Sequence, residues 1–112
     1  MQVSQQPVSY TLLEKQLLES VKNSLRYELY SNASFLCERL LAQTDNEDIR
    51  LLQAESYLGE GKAYKAYEVL KPSTGPTNRY KFALTCLKLN KLVEAERALL
   101  GSTQIRGLAS LD

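Results

Sequence analysis

The 112-residue chain contains no histidine and no tryptophan, and only two cysteines, three prolines and five glycines. Without histidine there is no imidazole base and no imidazole metal ligand, which excludes Ser-His-Asp and Cys-His chemistry. Two thiols, Cys37 and Cys86, are too few for a disulfide framework or, lacking histidine, for a structural zinc site. They read as buried free thiols of a reducing compartment. An excess of one charge is missing too: 14 basic and 13 acidic side chains leave a net +1. That balance gives no electrostatic reason to expect nucleic acid or an anionic membrane as partner. No apolar run is long enough to span a membrane, and Met1-Gln2-Val3-Ser4-Gln5-Gln6-Pro7 lacks the basic-then-apolar pattern of a signal peptide. The expectation is a soluble intracellular protein.

What is present is globular: 44% apolar and 24% charged residues, enough for one domain that buries about two-thirds of its surface. Apolar spacing is helical almost throughout, as in Leu18, Val21, Leu25 and Leu29, and alternating β-branched runs are missing. Thr11 with Glu14, and Thr44 with Glu47, read as capping boxes. Asn32 and Asn90 read as N-caps of further helices. Gly61 marks one helix end, Pro72 another, and Pro76 fits the first position of a new helix. The pattern predicts six helices, at about 11–29, 32–43, 45–59, 62–71, 76–89 and 91–100, joined by short loops and therefore antiparallel in sequence.

Aligned on itself, the sequence repeats. Ser24, Ala54 and Ala83 recur at near-equal intervals, as do Tyr27, Tyr57 and Cys86; Ala33, Ala63 and Leu92; Leu36, Ala66 and Ala95; and Leu40, Leu70 and Leu99. An interval of roughly 30 residues signals a solenoid, with the small residues letting paired helices approach. We therefore expect Ser24, Tyr27, Ala33, Ala54, Tyr57, Ala63, Ala66, Ala83, Cys86 and Ala95 to pack the repeats. The pattern resembles the tetratricopeptide repeat, of about 34 residues, best over Ala54-Glu55-Ser56-Tyr57-Leu58-Gly59-Glu60-Gly61-Lys62-Ala63-Tyr64-Lys65-Ala66. The fold class that follows is all-α: three helical hairpins over 11–100 stacked as a short right-handed solenoid, an N-terminal extension over 1–10, and a tail or linker to further repeats over 101–112.

No catalytic, cofactor-binding or metal-ligating residue emerges. Asp45, Glu47 and Asp48 complement a helix dipole, Lys62, Lys65 and Lys71 form a solvated face beside inward tyrosines, and Gly59-Glu60-Gly61 is a hairpin turn rather than a phosphate loop. The expectation is a binding or assembly module. In tetratricopeptide proteins the first helix of each pair lines the concave face. The repeat register puts Leu18, Val21, Leu25, Leu51, Glu55, Leu58, Tyr80, Leu84 and Leu87 there, a mainly apolar groove. The Lys, Arg and Asn clamp that captures C-terminal carboxylates is replaced by Val21, Leu25 and Leu52, with Lys81 alone of the right type. An apolar groove suits an amphipathic helix, from a second copy of this chain or from another protein. Leu13 and Leu17 give the first helix a spare apolar stripe, as a self-complementary two-fold pair would use.

Three stretches carry a narrower resemblance: Asn32-Ala33-Ser34-Phe35-Leu36-Cys37-Glu38-Arg39-Leu40, Gly61-Lys62-Ala63-Tyr64-Lys65-Ala66-Tyr67-Glu68-Val69-Leu70-Lys71 and Arg79-Tyr80-Lys81-Phe82-Ala83-Leu84-Thr85-Cys86. Together they resemble the N-terminal tetratricopeptide region of the cell division cycle protein 27 family, scaffold subunits of the anaphase-promoting complex, a cell-cycle ubiquitin ligase. The resemblance implies a non-catalytic homodimerising scaffold of nucleus and cytoplasm, bound to other subunits of that complex. The family's later repeats, which bind activator tails, have no counterpart among these residues. The alternative from another class is a monomeric adaptor holding an amphipathic helical peptide of an unrelated partner.

Overall fold

Thr11 turns the chain into its first helix, α1 (Leu12–Arg26), through a capping box. Its hydroxyl accepts from the Glu14 amide at 3.1 Å, and the Glu14 carboxylate accepts from the Thr11 amide at 3.0 Å. Five helices follow: α2 (Tyr30–Leu41), α3 (Glu47–Gly59), α4 (Ala63–Leu70), α5 (Pro76–Lys88) and α6 (Leu92–Gln104). The computed structural model describes residues 9–104. Each expected helix is present, with ends displaced by up to four residues. Pro76 does open α5, where its missing N–H leaves no bond unmade. The last helix runs on to Gln104, into the segment read as a tail. Residues 1–8 of the expected extension and 105–112 of the expected tail lie outside the described residues.

Three caps differ from expectation. Asn46, not Thr44, caps α3, its side chain accepting from the Ile49 amide at 3.0 Å. Asn32 lies inside α2, where its amide donates to the Ser24 hydroxyl at 2.8 Å. Asn90 closes α5 instead of opening α6: its φ is 63°, in the left-handed region that Asn tolerates better than most residues.

Asn90 belongs to a set of three matching hairpin turns. Leu29, Lys62 and Lys91 donate their amides back to the carbonyls of Ser24, Tyr57 and Cys86, at 2.7, 2.8 and 2.8 Å. The residue before each donor, Glu28, Gly61 or Asn90, has positive φ, the geometry of a left-handed helix cap. Glutamate at such a site costs about 1–2 kcal/mol that glycine avoids, so only Gly61 announced its turn in the sequence.

These turns fix the repeat register and correct the one drawn from sequence. Ser24, Tyr57 and Cys86 are equivalent, and so are the fully or almost fully buried Ala33, Ala66 and Ala95. In the first helices Val21 stands where Ala54 and Ala83 do. The alignment of the sequence on itself had slipped three positions in the first repeat. Tyr27, placed in the packing set by that slip, is 69% exposed, and Ala63 is only half-buried. The remaining members, Ser24, Ala33, Ala54, Tyr57, Ala66, Ala83, Cys86 and Ala95, are buried. The interval from Tyr57 to Cys86 is shorter than that from Ser24 to Tyr57 because α4, which ends just before Pro72, has 8 residues where α2 has 12.

Each helix packs on the next in sequence, and α1, α3 and α5 also touch in turn, whereas the backbones of α2, α4 and α6 stay apart among the described residues. This is the arrangement of tetratricopeptide hairpins, with the first helix of each pair on the inner side. The core between the second and third repeats joins Ala54, Tyr57, Ala66, Tyr67, Leu70, Phe82, Ala83, Cys86, Ala95 and Ala98. Tyr67 and Phe82 meet with ring centroids 5.2 Å apart. Leu70 is wholly buried there, and truncating such a side chain to alanine costs about 2–5 kcal/mol.

Acidic side chains fasten the joints between repeats. Glu14 accepts from the Thr44 hydroxyl at 2.7 Å. Glu47, its equivalent in the second repeat, accepts from the amides of Thr74 and Gly75 at 2.7 and 2.9 Å. Burial pushes the Glu47 pKa up, but those two amides, the Thr74 hydroxyl and the charge of Arg50 outweigh it and leave the carboxyl below its ordinary value. Thr44 and Glu47 thus serve two different joints, which is why they do not form a capping box with each other.

Candidate interaction groove

The corrected register aligns Leu18 with Leu51 and Tyr80, Lys22 with Glu55 and Leu84, and Leu25 with Leu58 and Leu87. All nine stand on α1, α3 and α5, one helical turn or so apart along the same side of each. Between α1 and α3 this side opens a cleft of about 320 Å³ lined by Tyr10, Leu18, Lys22, Asp48, Leu51 and Leu52. Toward the third repeat the apolar surface becomes more open: Tyr80, Leu84 and Leu87 are 56%, 39% and 48% exposed. Leu18, Leu25, Leu51, Glu55 and Leu58 are half-buried. Contiguous exposure of this kind at the inner side of a solenoid is a binding surface more often than an accident of packing.

Val21 is the exception among the residues assigned to the groove. It is wholly buried, because in the true register it replaces the small residue by which α1 sits against its neighbours. The slip of three positions had put it opposite Leu51. Two groove residues, Tyr10 and Lys22, went unnoticed in the sequence. Lys22 follows Leu18 at i+4 as Glu55 follows Leu51, a signal visible once Leu18 is aligned with Leu51. Tyr10 precedes α1 and is placed by a long-range contact, the Asn46 amide donating to its hydroxyl at 3.0 Å, which no local pattern foretells.

Charge is sparse within the groove. Lys81 and Glu55 pair across α5 and α3 at 3.8 Å, so the cation read from the sequence as standing at a carboxylate-clamp position is already engaged. Lys22 and Asp48 flank the α1–α3 cleft. Behind the groove the Tyr57 hydroxyl accepts from the Gln53 amide at 3.0 Å and donates to Glu38 at 2.9 Å, while the buried Gln53 Oε1 has no hydrogen-bond partner among the described residues. Burial and the Glu38 carboxylate push the Tyr57 pKa up to about 12. Burial likewise pushes the Cys37 thiol up to about 12, so it is not a nucleophile at neutral pH. Among the described residues no three His, Cys, Asp or Glu side chains gather as a metal site would require. What this surface can do chemically is bury apolar side chains of a partner.

The sequence model of the family described as anaphase-promoting complex, cyclosome, subunit 3 matches residues 26–102. Similar proteins include cell division cycle protein 27 homolog A of Arabidopsis thaliana, 46% identical over 89 residues, which covers 80% of this chain and 12% of the relative. The human cell division cycle protein 27 homolog is 39% identical over 93 residues, or 81% of this chain and 11% of the relative. Anaphase-promoting complex subunit 3 of Dictyostelium discoideum is 33% identical over 91 residues, or 79% of this chain and 9% of the relative. The chain thus spans about one-tenth of the length of these relatives.

Proposed function

The chain belongs to the family of anaphase-promoting complex subunit 3, and on that footing we propose that it is a non-catalytic assembly module that pairs with a second copy of itself. The observation that carries the reading is the uncovered apolar side of α1, α3 and α5, with Leu51, Leu58, Tyr80, Leu84 and Leu87 at its centre. At its start α1 presents Leu12 and Leu13, 71% and 55% exposed, while Leu17, the other member of the expected stripe, is half-buried. One protomer therefore offers both a groove and an apolar helix edge, which is what an isologous pair needs. Stable interfaces remove roughly 800 Å² from each partner, and three helices of this length can supply it.

Within that reading the module joins other subunits of the anaphase-promoting complex, by analogy with relatives that carry its name, and serves a ubiquitin ligase in nucleus and cytoplasm. The buried, unpaired state of Cys37 and Cys86 agrees with a reducing compartment. Nucleic acid and membrane are not among the proposed partners.

Sedimentation equilibrium over a wide concentration range tests the pairing. A dimer is expected for the parent chain. Leu51→Glu, and independently Leu87→Glu at a more exposed position, should yield helical monomers, because a carboxylate there must be desolvated without a partner. A monomeric parent, or dimers unchanged in both variants, would overturn the reading; a monomer that binds an amphipathic peptide in the groove would put the adaptor in its place.

A further inference from the structure

The second and third repeats carry equivalent clefts of opposite charge. Each is lined by an arginine near the start of the hairpin's first helix and by the residue at one equivalent place on its second, Glu68 or Arg97. In the second repeat the lining is Leu41, Asp45, Arg50, Glu68, Val69 and Pro72. There Arg50 is satisfied from within: its Nε and Nη2 donate to the two Asp45 oxygens at 2.8 Å each, the bidentate geometry guanidinium favours. In the third repeat Arg79 occupies the place of Arg50, and Arg97 the place of Glu68. The cleft there, of about 210 Å³, is lined by Lys71, Arg79, Phe82, Glu94 and Arg97.

No carboxylate among the described residues pairs with Arg79 or Arg97. Arg79 Nη1 reaches only the Lys71 and Ser73 carbonyls, both at 3.4 Å. Glu94, the single acid of the lining, is taken up by the Tyr67 hydroxyl, which donates to it at 2.7 Å. The Arg79 guanidinium lies over the Phe82 ring at 4.7 Å. Stacking fixes its plane while leaving its edge of N–H donors available. The cleft is thus preorganised, cationic and without the acid that its counterpart contains.

We propose that this cleft receives carboxylate side chains of an acidic segment of a partner protein, filling the role that Asp45 fills for Arg50. The counterpart in the second repeat stays open with the third repeat stacked beside it, so stacking at the same register does not close such a cleft. The lining shares no residue with the apolar groove, and the inference does not depend on self-pairing.

Fluorescence anisotropy of a fluorescein-labelled hexaglutamate peptide titrated with the whole chain tests it. Saturable binding is expected, weakened at least about tenfold by Arg97→Glu, which recreates the charge pattern of the second repeat. Arg97 is exposed, so this change removes no core packing. Lys15→Glu, an identical charge change at an exposed position on α1, should leave affinity within about twofold of the parent, less than 0.5 kcal/mol. Absence of saturation overturns the proposal, as does equal weakening by the two variants, which marks unspecific attraction. Displacement of the peptide by inorganic phosphate at equal affinity also overturns it, making a free anion the occupant.

Discussion

Gly59 ends α3 where a side chain would ordinarily be welcome, since alanine is worth up to about 1 kcal/mol more than glycine in a helix. Here the ring of Tyr30 occupies the space: a Cβ on Gly59 would fall inside contact distance of Tyr30 Cγ, Cδ1 and Cε1. Tyr30 is the first residue of α2, one repeat away, so the clash is between repeats and cannot be relieved within α3. Either the ring swings off Gly59 and gives up burial, or α2 shifts; overpacking of this kind costs about 1–3 kcal/mol. The steric term outweighs propensity, and Gly59→Ala should destabilise the fold by about 1–2 kcal/mol. Urea unfolding followed by far-UV circular dichroism, at fixed protein concentration, measures it. For a domain of this size each kcal/mol also lowers Tm by roughly 4–8 °C. In a Tyr30→Ala background the obstacle is gone, and the same substitution should be neutral or stabilising by up to about 1 kcal/mol. A Gly59→Ala chain as stable as the parent would refute the reasoning. An equal loss in both backgrounds would refute it too, by locating the cost outside the Tyr30 contact.

Two further predictions concern titration and thiol chemistry. Because the folded state holds the Glu47 pKa below its ordinary 4.5, the associated stability is fully present above that value and is lost as pH falls through the lowered folded one. Thermal unfolding from pH 7 to pH 3 should show a shallower acid decline for Glu47→Gln than for the parent; parallel curves would mean the amide contacts do not hold the carboxylate. Cys37, with its thiol at about 12, should react with a disulfide reagent at pH 8 only when the fold opens, so its rate should track urea concentration. Prompt reaction in native buffer would show that its burial is not maintained.

The helix count and their antiparallel order were legible because amphipathic spacing and the Thr11–Glu14 box are local signals. The register was harder. Val21 and Ser24 are one helical turn apart and both face inward, so a slip of three residues keeps a plausible buried stripe and is nearly silent in the pattern. The information that resolves it sits in the turns: Glu28 does not advertise positive φ, and Asn90 reads equally well as the N-cap of the next helix. Most of the apolar groove survived the slip since Leu18, Leu51 and Tyr80 carry their own spacing; Val21 did not. The joint contacts of Glu47 with Thr74 and Gly75, 27 and 28 residues away, and the seat of Tyr10 against Asn46 depend on which loops meet. Those are consequences of stacking and leave no mark in any short window.

The two joints of the solenoid are fastened through different kinds of donor. Between the first and second repeats the acidic fastener holds a hydroxyl, a donor on a side chain that can rotate. Between the second and third it holds two consecutive backbone amides, and the Asn78 side chain adds a bond to the Glu47 carbonyl at 2.9 Å. Each fastener ties the start of one first helix to the loop that leads into the next, so it sets the spacing of the inner helices where the groove begins. The donor at the first joint belongs to a side chain, and one substitution at Thr44 removes it. The donors at the second joint are backbone amides, which remain whatever side chain stands at positions 74 and 75, proline excepted.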